Sequence, residues 1–265
     1  MSNQQFFITL PSNSLSSNTV AEFTTSLPLN INLDDEWEVG LSEIIYGNTW
    51  FNITEVNNRI IFFDVPAQKN VSLWIAKGRY ESVTGLVESI LKSNEQESTL
   101  AEKDFQRNIS IAYNEYIKRC QIMINTNEVH NLKIHSDVAY MLGFEYEQII
   151  KIQNSTGMKT IAANYPVDMS GSFNHLYIYC NIVKPQIVGN VLAPLLQIVS
   201  VEGKYVDTVC RTYITPHYVP VLKNSFSEIE ISIRNDQNKT IKFEYGKTIV
   251  KLHFKKLSDI HRNMI

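Results

Sequence analysis

Cysteine is scarce, and the few present are badly spaced for chemistry. The 265 residues hold three, Cys120, Cys180 and Cys210, with no C-x-x-C pair. That excludes zinc ribbons and thioredoxin-type redox chemistry. Cys180 lies within the apolar run Leu176–Val183 and reads as a small buried hydrophobe. Reduced structural thiols fit synthesis in the reducing interior of a cell. Long hydrophobic runs are also missing. No segment approaches membrane-spanning length, so no membrane span is expected. The start, Met1-Ser2-Asn3-Gln4-Gln5, lacks the basic-then-apolar pattern of a secretion signal. Without such a signal, the sequons at Asn52 and Asn238 read as chance products of an asparagine-rich sequence. Lysine and arginine runs are absent too. The formal net charge is −3 and the pI about 6.1. The sequence shows no overall basic footprint for a phosphate backbone, so direct nucleic-acid readout is not expected, although folding could gather scattered lysines into a local patch.

Catalytic and cofactor signatures are lacking. Gly246-Lys247-Thr248 resembles the end of a phosphate-binding loop, but the upstream glycine it requires is replaced by Ile241. The tripeptide also precedes a strand pattern, whereas a phosphate cradle opens a helix. Met169-Ser170-Gly171-Ser172 resembles half of a nucleophile elbow, but Asp168 stands where a glycine belongs and no strand-turn-helix pattern follows. The histidines, His130, His135, His175, His217, His253 and His261, fall in no metal-ligand spacing. Asp34-Asp35-Glu36 could hold a hard cation, yet neighbours on an extended chain point apart, which favours a polar turn ahead of Trp37. The expectation is a non-enzyme with no cofactor and no metal.

What the sequence does have is alternation. In Glu228–Arg234 the isoleucines 229, 231 and 233 alternate with polar residues, and Val250, Leu252 and Phe254 alternate with Lys251, His253 and Lys255. Ile241, Phe243 and Tyr245 suggest a third strand between them. A period of two puts one face in a core and the other toward water or a partner. Similar strands are expected at Gln5–Leu10, Val20–Ser26 (stopped by Pro28), Trp37–Tyr46, Ile109–Tyr116, Gln121–Asn125, Leu176–Val183, Leu195–Val201, Tyr205–Tyr213 and Tyr218–Leu222. Arg59–Val65 and Val71–Ala76 form a hairpin. Glu43 falls on the apolar face of its strand and predicts a bulge or a paired carboxylate. Helical spacing occurs at Val83–Leu91 behind Ser82, and a short helix at Asp137–Leu142 is capped by Ser136 and closed by Gly143. Ser93–Asp104 reads as a loop and Gln153–Ser172 as irregular. The fold class is all-β: one β-sandwich over 1–265, its N- and C-terminal strands in the same core, with helical and loop insertions at about 77–172 and a tail at 257–265. Two β domains split near Asn125–Ser136 are the alternative.

Trp50 and Phe51 are adjacent large rings just after a strand. Exposed, they would anchor an interface; buried, they would close one end of the sandwich, the commoner fate of large aromatics.

Several segments resemble a known family. These are Gln5-Phe6-Phe7-Ile8-Thr9-Leu10-Pro11-Ser12-Asn13-Ser14, Phe23-Thr24-Thr25-Ser26-Leu27-Pro28 and Asp35-Glu36-Trp37-Glu38-Val39-Gly40-Leu41-Ser42-Glu43-Ile44. Gly189-Asn190-Val191-Leu192-Ala193-Pro194, Tyr218-Val219-Pro220-Val221-Leu222 and Phe243-Glu244-Tyr245-Gly246-Lys247 complete the set. Together they are similar to the minor capsid, or penton, proteins of Polinton (Maverick) elements and adintoviruses. The likeness covers the start and the last third and is weaker through Asn94–Gly171. It implies a single jelly roll and a structural role as a homopentamer at the five-fold vertices of an icosahedral virion. The major capsid protein of the same element would be the second partner. The tails Met1–Gln4 and Leu257–Ile265 become candidate arms, so His261 and Arg262 join Trp50 and Phe51 as candidate interface residues. A monomeric β-sandwich binding carbohydrate or a cell-surface protein is the competing class.

Overall fold

The computed structural model describes residues 5–92, 107–145, 156–171 and 174–257. The chain divides into two compact units. The first is 1–50 with 173–265 and the second is 51–172.

The first unit is an all-β sandwich. Its main strands are β1 (Gln5–Pro11), β2 (Glu22–Asn32), β3 (Trp37–Gly47), β10 (His175–Cys180), β13 (Leu195–Ser200), β14 (Thr208–Thr212), β16 (Ser225–Arg234) and β17 (Ile249–Lys256). One sheet runs β1-β17-β3-β14, with the short β15 (Tyr218–Pro220) also on β3, and the other runs β13-β10-β16-β2. The pairings are nested. The first of these eight strands pairs the last, the second the seventh, the third the sixth and the fourth the fifth, all antiparallel. A long antiparallel hairpin rolled up on itself produces this order, and that is a jelly roll.

The alternating pattern explains the core. Val250, Leu252 and Phe254 of β17, Val39, Leu41 and Ile44 of β3, and Ile229, Ile231 and Ile233 of β16 are all within 1% of full burial. Each contributes roughly 1.5–3 kcal/mol of transfer free energy. Phe226 and Phe254 stack across the sandwich at 6.0 Å. The anomaly at Glu43 is resolved by a bulge. Lys251 faces Glu43 and Leu252 faces Leu41, so β3 carries one extra residue between them. Glu43 is thereby turned off the core face and set opposite a lysine.

Two strand expectations need correction. Pro28 does not stop β2, which continues to Asn32. The strand lies at a sheet edge and its register shifts opposite Phe226–Glu228, so the missing N–H breaks no ladder bond. Conversely, 241–245 is not a strand. Ile241 is buried, but only isolated bridges, Arg234 to Thr240 and Trp50 to Phe243, mark this stretch. A ribbon not read from the sequence, β11 (Gln186–Val188) and β12 (Val191–Ala193), lies between β10 and β13.

The second unit carries its own hydrophobic core and its own sheets. One contains the expected hairpin β4 (Arg59–Asp64) and β5 (Lys69–Trp74) with β8 (Val129–Ile134); the other contains β6 (Ile109–Asn114), β7 (Arg119–Asn125) and β9 (Met158–Ala162). The second unit begins at Phe51, and its described elements are strands more than helices. The alternative boundary at Asn125–Ser136 falls inside this unit and spans β8. β9 replaces part of the irregular stretch expected at 153–172; 93–104, 153–155 and 172 lie outside the described residues.

Helix α1 (Val83–Leu91) buries Val83, Leu86, Val87 and Ile90, and the Ser82 side chain accepts from the Gly85 amide at 3.1 Å. Helix α2 (Ser136–Met141) is capped one residue earlier than expected, by the His135 ring nitrogen accepting from the Asp137 amide. Gly143 ends it at φ +84, where a Cβ would also collide with the Tyr165 carbonyl oxygen.

Candidate interaction surfaces

The rolled topology gathers the connections of the first unit at the two ends of the sandwich. At one end lie 48–50, 201–207 and 243–244: the Asn48 amide donates to the Asp207 carbonyl, the Val206 amide to Asn48, and the Glu244 amide to Thr49. At the other end the Leu257 amide donates to Glu36, the Val221 amide to Trp37, the Lys184 amide to Pro220 and the Leu33 amide to Asn224. The base of the β11–β12 ribbon and the last described residue therefore share this second end. Asp34 and Asp35 here pair with Lys256 at 3.1 and 2.9 Å. The lysine holds the Asp34 carboxyl below its usual range, chiefly through their hydrogen bond. The acidic triplet is thus a polar turn tied to β17.

The outer face of the β1-β17-β3 sheet carries an aromatic and cationic cluster. His253 stacks on Phe7 at 4.3 Å, and its Nδ1 lies 2.9 Å from the Tyr218 hydroxyl and its Nε2 3.1 Å from Gln5 Oε1. Lys251 sits over the Phe7 ring at 5.3 Å and Lys255 over the Tyr218 ring at 5.4 Å, contacts of the cation–π kind. Phe7 is half exposed. Gly40 makes this arrangement possible. A Cβ there would come within 2.7 Å of Pro216 and 2.9 Å of the His217 carbonyl, the segment that delivers Tyr218.

The outer face of the β10-β16 sheet is different. The ribbon stands beside it and bounds a groove of about 800 Å³. Tyr177 and Tyr179 line it with Ser232, Glu230 and Arg234; Arg234 lies 5.7 Å over the Tyr179 ring and donates to Ser232 and Asn238. The ribbon exposes Ile187 at 80%, Leu192 at 72% and Val191 at 55%. Apolar side chains shown this far out on a two-stranded ribbon are the kind of surface that marks an interaction site. The sequence signal existed: Gly189-Asn190 between short apolar triplets, with Gly189 at φ +61, is a two-residue hairpin loop with glycine at its first position.

Of the residues singled out from the sequence, Trp50 is a core residue. It is 3% exposed, meets Phe243 edge-on at 5.5 Å and lies 6.3 Å from Tyr46, closing one end of the sandwich. It is not an exposed anchor. Phe51 is half-buried and begins the second unit. His261 and Arg262 lie outside the described residues, as do Met1–Gln4.

The remaining motifs take structural places. Thr248 of Gly246-Lys247-Thr248 is buried; its amide donates to the Ser12 hydroxyl oxygen at 2.9 Å, and the chain leads on into β17. Ser170 donates its amide to Asp168 in a tight turn. Asn52, 3% exposed, spends its side-chain amide on the Tyr80 and Met169 carbonyls, so its sequon is inaccessible to a glycan. Burial pushes the Cys120 thiol up to about 11 and the Cys180 thiol to about 12, values at which neither is a nucleophile. Cys210 is exposed, and all three thiols are free. Among the described residues no three His, Cys, Asp or Glu side chains converge as a metal site, and no helix is long and apolar enough to cross a membrane.

No family model and no curated protein matches the chain. Among solved structures it is similar to the mavirus penton protein, with a TM-score of 0.48 and 10% identity over 96% of this chain and 100% of that one.

Proposed function

We propose that this chain is a minor capsid (penton) protein of the Polinton and adintovirus kind, with no enzymatic activity. Copies of it form pentamers at capsid vertices and meet the major capsid protein around them. The observation that carries this reading is the nested eight-strand roll of the first unit, found in the same stretches of sequence that resemble that family. A rigid sandwich with polar outer faces and an exposed apolar ribbon is suited to repeated contacts with its own kind. A heterologous contact, one patch meeting a different patch, closes into a ring when its rotation permits.

Electron microscopy of the purified protein tests this directly. Five-fold rings, alone or after addition of the major capsid protein, are the expected result; particles that stay monomeric under both conditions would remove the vertex role. One observation favours the alternative of a monomeric binding module, the groove lined by Tyr177 and Tyr179, since aromatic rings stack on sugars. Saturable glycan binding by a monomer, lost in Tyr177→Ala, would establish that reading instead.

A further inference from the structure

We infer that the groove beside the β11–β12 ribbon receives the C-terminal segment 258–265 of a second copy of this chain. The inference rests on the self-assembly just proposed and specifies one contact that would build it. Three observations lead there. The described chain ends at Leu257 on the same end of the sandwich as the ribbon's base, linked to it through the bonds of Leu257 to Glu36, Val221 to Trp37 and Lys184 to Pro220. Beyond it run eight residues, Ser-Asp-Ile-His-Arg-Asn-Met-Ile, which extended would reach at most ~26–29 Å. That is enough to leave one sandwich and lie along a groove of another.

The chemistry of the two partners matches. The groove offers an apolar wall at Val191 and Leu192, tyrosine rings, and the carboxylates Glu230 and Asp236. Both carboxylates are exposed, and neither has an ion-pair partner among the described residues. Arg234, the cation in the groove, is already held by Tyr179, Ser232 and Asn238. The segment supplies the opposite set, with His261 and Arg262 for the carboxylates and Ile260, Met264 and Ile265 for the apolar wall. An extended segment laid beside the ribbon could also pair with its free edge, as recruited strands commonly do. Each copy would donate a tail and accept one, so the contact is heterologous and propagates around a ring.

Site-directed cross-linking of the full chain tests the contact. Asp236→Cys and Arg262→Cys are combined with Cys210→Ser, which removes the exposed native thiol; Asp236 is in a surface turn and Arg262 lies beyond β17, so the sandwich is left intact. Under mild oxidation the expected product is a ladder of disulfide-linked dimers and larger species. An internally bridged monomer would mean that the tail folds onto its own copy, and the absence of any bridge would place it elsewhere; either overturns the inference. As an independent reading, Arg262→Glu should raise the concentration needed for assembly about tenfold, and adding Glu230→Lys should restore it. The two proposals fail separately. Five-fold rings without the bridge keep the vertex role and remove this contact, whereas bridged dimers or open chains without a closed ring keep the contact and remove the vertex role.

Discussion

At the scale of the residue, neighbours in β17 have opposite fates. Leu252 is fully buried, and Lys251 faces Glu43 across the bulge. Leu252→Asp places an unpaired carboxylate in the core at a cost of several kcal/mol, a large part of the roughly 5–15 kcal/mol that holds a domain together. It is expected to yield insoluble or unfolded protein. Lys251→Asp trades an attractive cross-strand pair for a repulsive one, worth about 1 kcal/mol, and is expected to fold with a slightly lower urea midpoint. Equal tolerance of both would mean the strand faces the other way. His253 supplies a pH dependence. Burial, then the charge of Lys255, holds its imidazole below the usual 6.5. Among its neighbours, Tyr218 and Gln5 bond the ring, Lys251 flanks it on its own strand, and Lys255 pairs with Glu38 at 3.8 Å. The unfolded chain takes up this proton first. Stability is therefore fully present above the unfolded pKa, falls as pH drops through it, and levels off below the folded value. Urea midpoints followed from about pH 8 to about pH 5 should decline in the native protein and decline less in His253→Gln; identical slopes would exclude the histidine.

At the scale of the element, the ribbon and the second helix carry separate roles. The β11–β12 ribbon makes its ladder bonds within itself, and much of its apolar surface faces out. Replacing 186–193 by a short glycine-rich turn is expected to leave the sandwich's thermal unfolding nearly unchanged while assembly is lost. A variant that still assembles would shift the interface to another surface. Helix α2 depends on its end. Gly143→Val puts a β-branched residue at positive φ against the Tyr165 carbonyl, a cost of about 1–3 kcal/mol or more. The expected outcome is a fall of several degrees in the unfolding of the second unit, seen by calorimetry.

At the scale of the whole molecule, each unit has its own core, and the second interrupts the first between β3 and β10. A unit that closes its own core does not depend on the other for its stability. Removing 51–172 and joining Trp50 to Phe173 by a flexible linker is expected to leave a soluble sandwich that unfolds cooperatively. A molten or aggregated product would show that the units stabilise each other.

The strands most readable in the sequence were those with one face in the core and one in water: β1 and β17 follow the period of two throughout, β3 and β16 follow it on either side of a register shift, and even the Glu43 bulge announced itself as a polar residue out of phase. Legibility failed where local pattern and long-range pairing disagree. The alternation at Ile241, Phe243 and Tyr245 found no partner strand, Pro28 was harmless because its strand is an edge, and the core place of Trp50 depends in part on Phe243, which is far away in sequence. The ribbon and its groove were the hardest to read, because three-residue strands are too short for periodicity and a groove is made by segments distant along the chain. Alternation alone therefore determined an all-β chain of amphipathic strands, since it records which face each residue turns to water. Which strand pairs which, where the second unit interrupts the first, and what the outer faces present were decided by tertiary structure, because pairing free energy belongs to two strands at once and is written in neither.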